Sequence, residues 1–146
     1  MSGEDAAPEL DPFLQKLRAM LLYGALAFAT GFVFGVMREL AFIPLLGKSV
    51  GKWTEFIPLV GALFFVAAYA LRQINAPDRR TLLMMGFGGV IVLLMFESLF
   101  ALYVMQVPLA IYLDGFNILK GELFPWGLAM MALAPLLLNY FRTRNI

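Results

Sequence analysis

Three charged residues stand where a hydrophobic chain is costly to charge: Arg38, Glu55 and Glu97. Arg38 closes the phrase Gly31-Phe-Val-Phe-Gly35-Val-Met-Arg38 at the end of the first long apolar run, and Glu55 opens the second. Glu97 lies inside the third, between Phe96 and Ser98. An ionised side chain at membrane depth costs about 2.5 to 3.5 kcal/mol on insertion scales, so each of the three should face inward and find a partner. A planar guanidinium suits two carboxylates at once, which makes Arg38 the expected shared partner of Glu97 and Glu55. Two roles fit such a cluster. It either fixes the register of the helices through ion pairs, or it forms a binding or translocation site for a proton, a cation or a small polar ligand, with Glu97 carrying the chemistry.

Other chemistries are poorly supplied. The chain has no cysteine and no histidine, which removes disulfide exchange, thiolate and imidazole metal sites, histidine-ligated haem and histidine proton relays. Ser2, Ser49 and Ser98 have no histidine to activate them, and the carboxylates fall in no hydrolytic spacing. Asp114, Asn117 and Glu122 offer oxygens to a hard cation but read as solvated turn residues. Met84-Met85 and Met130-Met131 fall at different depths, so they read as soft packing rather than a copper site. The expectation is a protein with no enzymatic role, no cofactor and no metal. A net charge of +1 without a basic run excludes nucleic acid as a partner.

The elements that must position these charges follow from composition. With 62% hydrophobic residues, 14% charged residues and a mean hydropathy of +0.83, the chain reads as an integral membrane protein whose main partner is the lipid bilayer. Four segments approach or reach the roughly 20 residues that cross a hydrocarbon core: Ala19 to Met37, Trp53 to Leu71, Leu82 to Val107 and Phe124 to Phe141. The fold class is therefore all-α, an integral membrane bundle of four transmembrane helices arranged as two hairpins. Residues 1–18 read as a flexible acidic tail with Glu4, Asp5, Glu9 and Asp11, and residues 19–146 as the membrane domain. The first apolar run lacks a small-residue cleavage site and is not expected to be a signal peptide. Lys16, Arg18, Arg72, Arg79, Arg80, Arg142 and Arg144 gather on one face, against Arg38, Lys48, Lys52 and Lys120 on the other, so both termini are expected in the cytoplasm. Tyr23, Tyr69 and Tyr140 mark the inner boundary in this reading, and Trp53, Tyr112 and Trp126 the outer one. Pro58 and Pro125 are expected in first helical turns, where a missing N–H costs little, and Pro135 inside the fourth helix.

Height along the helices brings the charges together in this scheme. At 1.5 Å per residue, Glu97 stands roughly 22 Å, Glu55 roughly 24 Å and Arg38 roughly 26 Å above the inner boundary, a single layer. On the first helix Gly24, Ala27, Gly31 and Gly35 fall within roughly 60° of Arg38 and form a small-residue stripe, for packing inside the bundle or for self-association. On the third helix Gly86 shares a face with Val90, Leu93 and Glu97. The apolar stretches Leu40 to Gly47 and Val107 to Leu113 read as outer loops that lie in the interface or re-enter the bundle. The phrases Lys52-Trp-Thr-Glu55-Phe-Ile-Pro58 and Lys120-Gly-Glu122-Leu-Phe-Pro125 hint at a parallel repeat about an axis along the membrane normal.

The pattern Gly35-x-x-Arg38, Pro44-x-x-Gly47, Glu55-x-x-Pro58 with Glu97 in the third helix resembles a group of small bacterial inner-membrane proteins of four helices, to which no activity is attached. The resemblance covers Thr30 to Pro58 and, more loosely, the third helix. It implies a bacterial inner-membrane location and groups Arg38, Glu55 and Glu97 as a set. Glu39 departs from the apolar residue expected after the arginine and offers Arg38 another carboxylate. The functional expectation is an accessory or interaction subunit, alone as a homo-oligomer or within a larger membrane complex. The alternative is a small transporter or channel module that uses Glu97 and Arg38.

Overall fold

The computed structural model describes residues 11–74, 77–114, 116–117 and 122–144, and among these every regular element is helical. The expected mobility of residues 1–10 lies outside the described residues. Helix α1 spans Pro12–Met37, with Asp11 capping its start: the carboxylate accepts from the Phe13 amide at 3.1 Å, and Pro12 fills a first-turn position that needs no donor. The helix thus begins seven residues earlier than expected, so residues 12–18 belong to the membrane helix rather than to the tail.

The end of this helix also departs from expectation. Instead of opening into a loop after Met37, the chain makes one wide π turn at Arg38–Phe42 and a last α-helical turn, α2, at Ile43–Leu46. Gly47 then stops it with φ 85° and ψ 165°, a backbone conformation that only glycine adopts without strain. Helix α3, Lys48–Leu71, starts at the next residue. Since α3 begins at Lys48 and not near Trp53, Pro58 sits inside it, three turns in, not in its first turn. Helix α4 is Arg79–Leu99, capped by Asp78 and continued by a second π turn at Phe100–Val104. The short α5, Leu109–Asp114, follows the left-handed Gln106, and α6, Phe124–Arg144, carries Pro125 in its first turn and a buried Pro135 inside.

Among the described residues four stretches are long and apolar enough to cross a membrane: Phe13–Leu46, Lys48–Leu71, Arg79–Val104 and Phe124–Arg144. Their outward faces carry exposed side chains such as Phe65 and Ile91, an apolar coat that suits lipid and not water. This is the architecture of a multi-pass membrane protein.

The four long helices form a closed ring in which α1 and α6 each pack against both α3 and α4. Small residues set the spacing. An ideal Cβ on Gly24 would fall 2.5 Å from Val92, one on Gly89 2.4 Å from the Tyr23 ring, and one on Gly86 2.0 Å from the Ala132 carbonyl oxygen. Helix backbones therefore touch where side chains would ordinarily separate them. Tyr23 is fully buried and crosses the ring, donating its hydroxyl hydrogen to the Met131 carbonyl of α6. It is a core strut and not the boundary anchor its position suggested, whereas Tyr69, Trp53, Trp126 and Tyr140 do lie exposed. A two-fold axis along the bundle would place corresponding helices diagonally, yet α1 and α4 are neighbours, so the parallel-repeat expectation is not met.

Candidate functional site

The charged residues gather at the end of the bundle where α1 turns into α3. Gly51 makes this corner possible: an ideal Cβ there would fall 3.1 Å from the Phe42 and Ile43 backbone, so α3 lies directly against the π turn and α2. One helical turn further on, on the same face, comes Glu55. The tight corner thereby brings Glu55 under Arg38, whose Nη1–H donates to Glu55 Oε2 at 3.1 Å while Nε–H donates to Glu39 Oε1 at 3.2 Å. Glu55 is 6% exposed and Glu39 lies open. A second ion pair, Lys52 Nζ to Glu122 Oε1 at 3.2 Å, ties the start of α3 to the segment before α6. Ser98 and the Tyr112 hydroxyl share a 2.8 Å hydrogen bond that holds α5 against α4.

Glu97 makes no close ion pair with this cluster. Phe28 stacks on Phe96 and Phe32 meets Phe100 edge-on, so α1 and α4 run in register with Glu97 opposite Ala29. Arg38 lies nine residues further along, a rise of roughly 13 Å. The Glu97 backbone thus stands below that of Arg38, because α1 starts lower than its hydropathy suggested, yet the Arg38 charge still reaches Glu97. Among the described residues the half-buried Glu97 has no hydrogen bond and no ion pair. No trio of potential metal ligands comes together there either, among the same residues.

The small-residue stripe also divides. Gly24 and Ala27 are buried, Gly24 against α4, and Gly86 of α4 meets α6. Gly31 and Gly35 meet no neighbour among the described residues: an ideal Cβ on either has no atom of these within 4 Å. Packing inside the bundle therefore explains the lower half of the stripe only.

Several contributors escaped sequence reasoning. Gly51 carried a readable signal, since Gly51-x-x-x-Glu55 places a close-approach residue one turn before an acid. The ion pair of Lys52 with Glu122 is a second contributor. Gly88, with Met20 lying against it, is a further contact between α1 and α4. Compared with known protein families, curated proteins and solved structures, the chain matches none.

Proposed function

We propose that this chain is a non-enzymatic, multi-pass protein of the bacterial inner membrane that acts as an accessory or interaction subunit, with two hairpins and both termini in the cytoplasm. The observation that carries the reading is a contrast along one helix. The lower half of the α1 stripe is filled by α4, while Gly31 and Gly35 one and two turns beyond Ala27 are left open, a surface on which another transmembrane helix can approach closely. The ion pairs of Arg38 and Lys52 act in this reading as clamps that hold α1, α3 and the segment before α6 in fixed register beside that surface. The orientation rests on the excess of Lys and Arg at the end carrying the termini.

The test is the mass of the full-length protein in a mild detergent. Assembly above the 16.3 kDa of one chain is expected, as is its loss in Gly31→Leu and Gly35→Leu with helix content unchanged. A wild-type protein that stays monomeric, with no co-purifying subunit in stoichiometric amount, contradicts the reading.

A second reading, a small transporter or channel module, is favoured by one observation: Glu97 is an acid at membrane depth without a hydrogen-bonding partner among the described residues. Against it stands the packing of the middle of the bundle, where Tyr23 bridges α1 to α6 and Gly86 lies on the Ala132 backbone.

A further inference from the structure

A small recess lies at the opposite end from the Arg38 cluster, between the first turns of α1 and α4. Leu17, Met20, Ile74, Met84 and Met85 line it, and Lys16 stands among them. Met84 is half exposed, so the recess reaches the lipid-facing surface. Arg80 precedes Met84 by one helical turn on the same stripe of α4, and its side chain is exposed. An apolar slot thus includes Lys16 in its lining and lies one helical turn from Arg80, at the basic end of the bundle.

The surrounding charge favours an anion. This end of the bundle holds Lys16, Arg18, Arg72, Arg79, Arg80, Arg142 and Arg144, opposed among the described residues by Asp11 and Asp78. Asp78 is the acid that Lys16 feels, and it is engaged as the cap of α4, accepting from both the amide and the hydroxyl of Thr81. Those two donors hold its carboxyl below the usual carboxylate range. Asp11 likewise caps α1.

We infer that this cleft binds an anionic phospholipid, with an acyl chain along Leu17, Met20 and Met84 and the phosphate on Lys16 and Arg80. A neutral lipid would satisfy the apolar slot alone, whereas an anionic one satisfies the slot and the cations together. The inference does not rest on the accessory role, since a transporter would carry the same cleft.

The experiment is native mass spectrometry of the full-length protein in mild detergent, titrated with phosphatidylglycerol or phosphatidylcholine of identical acyl chains. Wild type should bind phosphatidylglycerol more tightly, and Lys16→Gln and Arg80→Gln should each weaken it about fivefold while leaving phosphatidylcholine unchanged. Met84→Trp, which fills the slot, should weaken both lipids, and Arg142→Gln, at the same end but on α6, neither. Equal binding of the two lipids by wild type would overturn the inference, as would an equal loss in Arg142→Gln. Phosphatidylglycerol binding that is weak in wild type and rises when Glu4, Asp5 and Glu9 are changed to Gln would assign the cleft to the chain's own acidic segment instead.

Discussion

Arg38 bonds two carboxylates in different surroundings, Glu39 in the open and Glu55 buried, and the second bond is the one whose loss should be felt. Removing one member of a buried pair leaves an uncompensated charge, at about 3 to 5 kcal/mol, while replacing both with apolar groups of similar volume is often nearly neutral. Arg38→Met and Glu55→Leu should therefore each lower stability in detergent, toward the lower figure because Arg38 keeps some exposure. The double variant should recover much of the loss, with coupling above about 1 kcal/mol. Arg38→Met combined with Glu97→Leu should couple more weakly than the Arg38 and Glu55 pair, since the Arg38 charge reaches Glu97 without a hydrogen bond; coupling as large as that pair's would place Glu97 in direct contact with Arg38. A different residue-scale effect belongs to Asp78. Its carboxyl is held low by Thr81, so the ionised cap is present above the unfolded carboxylate pKa and is lost as pH falls through the folded value. Asp78→Ala should speed amide exchange at Thr81 at neutral pH, with the difference from wild type vanishing in acid. The residue types of the cluster were legible in the sequence, because charges in an apolar chain announce themselves. The Arg38–Glu55 pair was legible too; that Glu97 would stand outside hydrogen-bonding distance of Arg38 was not. That distance depends on where each helix begins, and the Asp11 cap shifts the start of α1 by several residues that hydropathy cannot see.

At the scale of elements, the glycines separate into those a neighbour already fills and those left bare. Gly86→Ala would drive a methyl into the Ala132 carbonyl and should cost about 1 to 3 kcal/mol or more, with α6 displaced. Gly31→Ala meets no atom and should leave the isolated bundle as stable or raise it by about 0.5 to 1 kcal/mol, since alanine loses less backbone entropy in a helix. Equal losses in the two variants, measured by thermal unfolding in detergent, would mean that Gly31 is covered within the bundle. Gly47→Ala should cost about 1 to 3 kcal/mol for its backbone conformation alone. The four long helices could be read from apolar length, and Pro125 and Pro135 fell where expected. The corner at Gly47 could not: an apolar stretch such as Leu40 to Leu46 has the same composition whether it is a loop at the interface or the last turns of a helix. Only the glycine at its end distinguishes the two, and it does so through a φ angle.

At the scale of the whole molecule, the described residues form a ring of four long helices with a packed middle, a basic end and an end of paired charges. Single cysteines at Gln73 and Leu113 should divide under an impermeant thiol reagent added to intact cells: Leu113 labels and Gln73 does not if the basic end faces the cytoplasm. The reverse pattern would invert the orientation. If the charges of this bundle hold helices together, as proposed, its packed middle passes no ion. The most direct test is proton and potassium flux in liposomes containing the purified full-length protein, read with an internal pH dye under an imposed potential. Flux no greater than in empty liposomes is predicted, for wild type and for Glu97→Gln alike. Flux above that background in wild type that disappears in Glu97→Gln would contradict the claim and make Glu97 the centre of a transport site.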